Sequence, residues 1–502
     1  MLSARRSLAA GIVAGAAVSS GGAPARAEDL ALAYTTPAAP NYLRAAIEEV
    51  GLLGLGLVQY TSTRSNEGDW DVRTDWSGVR SKLVWGVASL DDNRFDTNWL
   101  THPGAGFLYY SVARSNRLGV FSSFAISTLA STTWETIGEI REQIALNDVI
   151  VTPVSSLSLG ESALQLGSFF QRGRRTAPLV ALGWLFAPIK STHDAIDGLT
   201  PQGAYVVDDL GFPADVWHRF TIGGSAGVTS QQRGPRSVDE RAFVQSELVT
   251  VPGYHQAGRR TLVFGAAEVT SLRLGAGVSR GDVVDLAFAA SAMPGGWYSK
   301  DVEVGPDGRL RGSELLTGLY LSAEYTLHDY DRDGRRPRDR IALVGAGGAV
   351  AQTVHAGRLT LRTRLEILGD FAGVEAYALP EYQRASGDLG LTSVMRNHHY
   401  YHAYGATVRP RLEAALGRFD AGGEARFDAF RAIDRLAVEG PVPSEVAAAD
   451  RRVSARTWIG VRPWRHLRVS LSGELGERAG DVGFAHASRT EAGAHLGTEL
   501  VF

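Results

Sequence analysis

From about residue 217 to the C-terminus, side chains change character at every second position, and this period limits the fold more than any other feature. In "GRLTLRTRLEIL", Leu359, Leu361, Thr363, Leu365 and Ile367 share one face, against Arg358, Thr360, Arg362, Arg364 and Glu366. "HLRVSLSGEL" repeats the pattern, with Leu467, Val469, Leu471 and Leu475 opposite His466, Arg468, Ser470, Ser472 and Glu474. "RVSARTWIGVR" does so again, with Val453, Ala455, Thr457, Ile459 and Val461 opposite Ser454 and Arg456. Alternation over about ten residues is the pattern of a strand whose two faces meet different solvents. About twelve such segments follow residue 175, within a range of 10 to 14, and a closed membrane barrel calls for an even number.

A soluble sandwich also alternates, so the chain's ends carry the choice. "EAGAHLGTELVF" ends inside a strand, with Ala492, Ala494, Leu496, Leu500 and Phe502 on one face. A last strand closing on Phe resembles the end of bacterial outer-membrane barrels, which implies that the barrel-assembly machinery is a partner. The first 27 residues contain Arg5 and Arg6, a short apolar stretch and Ala25-Arg26-Ala27, and read as a secretory signal peptide. Cys is absent, which excludes a lipoprotein anchor and a disulfide framework. Loss of Arg5, Arg6 and Arg26 turns 51 basic residues into 48 against 54 acidic ones, net −6, with no basic run to suggest nucleic acid. Gly 58, Trp 10 and Tyr 16 suit turns and interfacial girdles. The expectation is an exported outer-membrane antiparallel β-barrel of a Gram-negative cell, in contact with outer-membrane lipids. Its divisions are a signal peptide at 1–27, an N-terminal periplasmic segment with a helix at 28–100, a helical module at 101–172 and the barrel at 173–502.

Two loops invite metal readings. In "HDYDRDGRRPRDR", Asp329, Asp331, Asp333 and Gly334 open like a calcium loop, but Arg340 stands where a bidentate Glu is needed; a solvated hairpin turn is the better reading. In "NHHYYHAYG", a straight strand puts His398 and His402 on one face about 14 Å apart, too far to share an ion, so an aromatic and His girdle is expected.

The N-terminal third changes period. Leu43, Ala46, Ile47 and Val50 recur at helical spacing, and three apolar segments follow: Pro103 to Ser115, Leu118 to Glu142, and Asp148 to Arg172. The helical region therefore holds three to four helices. Pro103 suits a first turn, and Asn147 or Asp148 is the expected cap of the third segment. Ser123, Ser127, Ser131, Glu135 and Glu139 fall at four-residue steps, which share one side of a helix. Carboxylates on an apolar helix need partners. His102 and Arg114 on the first helix are the candidates, with Asp148 and Glu161 adding negative charge.

"DDNRFDTNWLTHPGAGFLYYSVAR", "STTWETIGE" and "LNDVIVTPVSSLSLGES" together resemble the bacterial family called domain of unknown function 3943 (DUF3943). The matching positions are Asn98, His102, Pro103, Gly106, Tyr109, Tyr110, Ala113, Arg114, Trp134, Glu135, Glu139, Asn147, Asp148, Gly160 and Glu161. The resemblance covers about 75 residues, implies a helical module attached to a barrel, and brings no known activity.

Three functional readings follow. In the first, Asn98, His102, Arg114, Trp134, Glu135, Glu139, Asn147, Asp148 and Glu161 form a buried polar network locking the helices, as a plug in the lumen or a periplasmic cap. The whole protein then has a structural, binding or transport role, with Arg358, Arg362 and Arg364 on a polar lumen face and an unspecified small ligand. In the second, the protein modifies outer-membrane lipids by acyl hydrolysis or transfer, with His102 as base, Glu135 or Glu139 orienting it, and Ser131 or Ser127 as nucleophile. No nucleophile motif surrounds these serines. In the third, His102, Glu135, Glu139 and Asp148 hold a metal ion, although the helix lacks the paired-His signature of such sites. No cofactor is implied.

Overall fold

The alternating segments form twelve antiparallel strands: β1 (Trp217–Gln231), β2 (Ser237–Val249), β3 (Val269–Ser279), β4 (Asp282–Val304), β5 (Leu310–His328), β6 (Asp339–Ala356), β7 (Leu359–Glu375), β8 (Tyr400–Leu416), β9 (Phe419–Ala432), β10 (Ala448–Val461), β11 (Leu467–Val482) and β12 (Ala485–Val501). Each pairs with its neighbour in sequence, and β12 returns to β1 with Val501 opposite Thr221, so the sheet closes as a barrel with no free edge in the ring. The computed structural model describes residues 25–26, 28–64, 73–85, 88–231, 236–279, 282–328, 339–433 and 446–502. Most of the expected signal peptide lies outside the described residues, as do Asp329, Asp331, Asp333 and Gly334 of the calcium-like loop. Ala25 and Arg26 lie in parallel register with Leu262 and Val263 of a short strand, Gly258–Phe264, which prolongs β3 beside β4.

The pleat sorts the two faces as the alternation requires. Arg362, Arg364 and Glu366 turn inward, while Leu365 and Ile367 between them stand exposed on the outer wall. Leu475 and Leu496 are each 62% exposed, in a row of outward aliphatics that continues through Leu412, Phe427, Val453, Ile459 and Leu471. The lumen is filled by ion pairs. Glu324 meets both Arg409 and Arg426, and Asp428 meets Arg426 at 2.7 Å and Arg452 at 2.6 Å.

Apolar clusters pack inside both ends of this lumen. At one, the β7–β8 connection folds inward as α8 (Leu379–Ser386) and α9 (Ser393–His398), setting Leu379, Tyr382 and Met395 against Ile341, Leu343, Ala372 and Phe430. At the other, nearer the C-terminus, Val251, Leu262, Phe264, Met293, Tyr298 and Leu316 close together. A cavity of about 510 Å³ lies between, lined by charged side chains.

The remaining helices are α1 (Tyr42–Arg64), α2 (Trp76–Trp85), α3 (His102–Ser115), α4 (Val120–Thr133), α5 (Leu146–Arg172), α6 (Ala177–Phe186) and α7 (Pro188–Asp197). They neither plug the lumen nor cap it from below, which corrects the sequence expectation. α3, α4, α5 and α6 lie against the outer wall, and α1 and α7 pack on α3. Outward Ala292 packs on Tyr110, Val120 and Leu157, and outward Ala323, Ala342 and Val344 pack on Phe95, Trp99 and Val151. Further along α5, Phe169 and Phe170 meet outward Phe220 and Leu248. The 27 residues of α5 reach about 40 Å, enough to cross the wall obliquely from the α8–α9 end toward the C-terminal end.

Three local expectations also change. The helical region runs on through α6 and α7, so the first barrel strand begins at Trp217 rather than near 173. The residue before α5 is Ala145, with no side-chain cap; Asn147 and Asp148 lie within the helix and make other contacts. "NHHYYHAYG" is not one straight strand: α9 ends at His398, His399 takes a left-handed φ of 64°, and β8 starts at Tyr400.

Candidate functional site

Two π-helical turns frame the helical site. Thr97–Thr101 leads into His102, and Trp134–Gly138 carries Glu135. Such turns insert one residue into the helical ladder and re-aim the side chains around them. The first turn docks on the barrel itself. Asn98 is fully buried, and its Nδ2 donates to the Tyr400 hydroxyl at 3.0 Å. That hydroxyl donates in turn to the Asn93 carbonyl at 2.7 Å, and His402 Nε2 lies 2.9 Å from the Asp91 carbonyl. The Trp99 ring stacks on Phe371, ring centroids 5.7 Å apart, and lies flat over Gly373, where an added Cβ would sit 2.1 Å from Trp99 Nε1. The expected His and aromatic girdle is therefore, for Tyr400 and His402, a dock for the helical region.

The polar residues of the helices divide into two networks. In the first, His102 Nε2 lies 3.3 Å from Asp148 Oδ2; the histidine keeps 15% of its side chain exposed and the aspartate 2%. Asn147 Nδ2 donates to Asp148 Oδ1 at 2.7 Å, and Asn147 Oδ1 accepts the Asp91 N–H at 2.9 Å. Glu135 accepts the Ala145 N–H at 3.0 Å, and Trp134 Nε1 donates to Glu139 Oε1 at 3.1 Å. Lys82, also buried, donates to the Glu139 carbonyl at 2.5 Å. Burial pushes the Glu135 carboxyl up to about 9, helped by Glu139, and raises Asp91 to about 6. Glu135 therefore keeps its proton at neutral pH.

The second network is an ion pair with no solvent access. Arg114 meets Glu161 through two parallel hydrogen bonds of 2.8 Å, and both side chains are 0% exposed. Tyr110 donates to Glu161 at 2.7 Å, Gln165 donates to it at 2.8 Å, and Asp29 reaches Arg114 Nη1 at 2.9 Å. Every oxygen and every nitrogen of the pair thus has a partner, which a buried charge pair requires. Small residues let α3 and α5 approach closely enough to form it. An added Cβ on Gly106 would stand 2.2 Å from the Thr152 carbonyl, and one on Gly160 would stand 2.5 Å from the Tyr110 ring.

Of the stripe at four-residue steps, Ser123, Ser127, Ser131 and Glu135 are buried, whereas Glu139 is only partly buried. Arg114, a candidate partner for the α4 carboxylates, goes instead to Glu161 and Asp29. The hydroxyl of Ser131 is directed at the Asp148 carbonyl at 3.3 Å, and Ser127 Oγ is sealed without a partner. His102 and Asp148 have the base and carboxylate of a proton-transfer pair, but neither serine is aligned with them as a nucleophile. Among the described residues, the set His102, Glu135, Glu139 and Asp148 does not bring its ligand atoms within 4.8 Å of one another. Sequence reasoning missed Asp29, Asp91, Lys82, Tyr400 and His402. Tyr110 belonged to the resemblance motif, and its hydroxyl next to a Glu-bearing segment was the available signal.

Residues 86–189 match the family described as a domain of unknown function, DUF3943, which takes in the docking turn, α3, α4, α5 and α6. No curated protein matches the chain. Among solved structures, the β domain of the Bordetella autotransporter BrkA is 12% identical and covers 57% of this chain and 100% of its own, with a TM-score of 0.24. The translocator domain of the autotransporter NalP from Neisseria meningitidis is 11% identical and covers 56% and 88%, with a TM-score of 0.20. A loop-deletion mutant of OmpT, an outer-membrane protein of Vibrio cholerae, is 9% identical and covers 57% and 99%, with a TM-score of 0.18. The chain joins a segment that matches DUF3943 to a barrel whose closure, even strand number and outward apolar face are those of outer-membrane barrels.

Proposed function

We propose that the protein resides in the bacterial outer membrane as a closed, ligand-binding or structural barrel, with its helical region held as a permanent buttress on the lipid-facing wall. The observation that carries this reading is the packing of α3, α4 and α5 onto outward residues of β4, β5 and β6. The outer surface of the helical region is apolar in its turn: Leu108, Phe121, Leu129, Ile137 and Leu185 are all exposed. Among the described residues no helix is long and apolar enough to cross a membrane alone, so in this reading the barrel supplies the crossing and the helices lean on it. The buried Arg114–Glu161 pair is satisfied within protein, as a charge near lipid must be.

Binding is favoured over free transport because α8 and α9 pack apolar side chains into one mouth, apolar residues narrow the other, and ion pairs cross the chamber between them. Phe502 faces outward beside His466 and ends the closing strand, a placement suited to recognition by the barrel-assembly machinery. The purified chain reconstituted in planar bilayers is expected to show no stable open conductance. A steady, ohmic, water-filled channel would contradict the closed-barrel reading. The lipid-modifying alternative gains no support from the orientations of Ser127 and Ser131.

A further inference from the structure

The lumen holds a second polar centre, far from the helices in sequence. Glu314, near the start of β5, lies one register step from His355, near the end of β6, because Gly312 pairs with His355 and Glu314 with Thr353. The connection after β2 folds inward and brings His255 to the same point. His255 Nδ1 and His355 Nε2 face a single oxygen, Glu314 Oε1, at 3.1 Å and 2.8 Å. The other oxygen accepts the His255 N–H at 3.0 Å and the Tyr298 hydroxyl at 2.5 Å.

Several features suit this group to a cation better than to a plain hydrogen-bond cluster. The lumen carboxylates Glu324 and Asp428 each face two guanidinium groups, whereas the ion-pair partners of Glu314, among the described residues, are the two histidines. Nearby Lys300 is committed to the carbonyls of Gly253 and Gln256, at 2.6 Å and 2.9 Å. The imidazole rings meet at 87°, so their nitrogens converge on Glu314 from two directions. His255 holds a φ of 55°, which a β-carbon disfavours; this conformation aims both its N–H and its ring nitrogen at one carboxylate.

We propose that His255, Glu314 and His355 bind one divalent transition-metal ion of the Zn²⁺ type, which staples the inward connection at 250–257 across the C-terminal mouth of the lumen. All three ligand atoms lie within 4.8 Å of one another. A tetrahedral site with bonds of about 2.1 Å separates its ligand atoms by about 3.4 Å, so small side-chain shifts suffice. Tyr298 holds the far carboxylate oxygen, as partners beyond the ligands do in such sites. Beside His255 lies a cavity of about 90 Å³, lined in part by Trp217, Tyr254, Thr353, Arg362 and Glu413. Two histidines and one carboxylate suit Zn²⁺, Fe²⁺ or Mn²⁺ over Ca²⁺ or Mg²⁺.

The test uses the untagged full chain in detergent, stripped with chelator and titrated with Zn²⁺ alone. The wild type is expected to retain one equivalent and to gain thermal stability, while His255→Ala and His355→Ala weaken binding by at least about 100-fold. Each variant should keep the gel shift between heated and unheated samples that reports a folded barrel. Should either alanine variant fail to fold, Co²⁺ added to the stripped wild type decides: a visible absorption band of four-coordinate, nitrogen-ligated Co²⁺ supports the site. A wild type that retains no Zn²⁺, a featureless Co²⁺ spectrum, or a folded His255→Ala/His355→Ala double variant that binds as tightly as wild type overturns it.

Discussion

The outer wall of this barrel has a covered part and a bare part, and the two are built from different residues. Under the helices, several outward positions of β4, β5 and β6 are small: Ala290, Ala292, Ala323 and Ala342, all within 4% exposure, while Val344 and, farther along α5, Phe220 and Leu248 are larger. On the bare side, from β8 to β12, the same outward positions carry Leu412, Phe427, Ile459, Leu471, Leu475 and Leu496, most of them more than half exposed. One sheet face therefore meets two solvents. Where it meets protein, small side chains let a helix lie close, and complementary volume supplies the contact. Where nothing covers it, large aliphatics present the surface that a hydrocarbon phase rewards. The comparison explains why an α5 rich in serine is tolerated on the lipid side: the barrel and α3 enclose its polar face, so that face never meets hydrocarbon.

The largest expected blow to this arrangement is Arg114→Ala. It strands Glu161 in a site without solvent, a loss of about 3–5 kcal/mol for a broken buried pair. Limited proteolysis should then release the helical region while the barrel's heat-dependent gel shift persists. On the bare part, Leu475→Arg should reduce folding stability into lipid vesicles by about 2–4 kcal/mol, measured by denaturant titration. Gly106→Ala tests the close approach under the cover; the clash with the Thr152 carbonyl predicts a loss of about 1–3 kcal/mol in the helical region alone.

Lumen pairs provide the contrast in redundancy. Arg426→Ala leaves Glu324 with Arg409 and Asp428 with Arg452, so its cost should fall well below that of Arg114→Ala in the same assay. The smallest effect is a pH dependence. Burial raises Asp91 and Glu135 above their unfolded values, so the folded helices bind more protons than the unfolded chain, and their stability falls as pH rises through about 4 to 6 and beyond. Protease resistance of the helical region should therefore be greater at pH 5 than at pH 8.

Much of the barrel is legible from residue alternation. Arg362 and Arg364 face in and Leu365 and Ile367 face out, as a period of two demands, and the strand number follows from counting such runs. The stripe of Ser123, Ser127, Ser131 and Glu135 was likewise visible as a helix face. Which side of the wall the helices occupy was not, because a Ser-rich helix suits a polar lumen and a protein-covered outer face equally well. The distinguishing signal is the size of the outward residues in β4, β5 and β6, which becomes meaningful only once the register is known. Glu161 was recognised, but its pairing with Arg114 and Asp29 depends on helix crossing, which no local pattern encodes. His255, Glu314 and His355 are separated by tens of residues and meet through strand register and an inward connection, so no spacing motif announced them.

The placement of the helices on the outer wall is tested most directly by proximity, and the absence of Cys makes the experiment clean. In a Leu157→Cys/Ala292→Cys variant, a short bis-maleimide should join α5 to the outward face of β4, seen as a change in gel mobility and confirmed by mass spectrometry. The control pairs Leu157→Cys with Ser271→Cys, which lines the lumen. Cross-linking of the first pair and not the second is the predicted result. Cross-linking to Ser271→Cys with none to Ala292→Cys would put the helices inside the barrel and contradict the account.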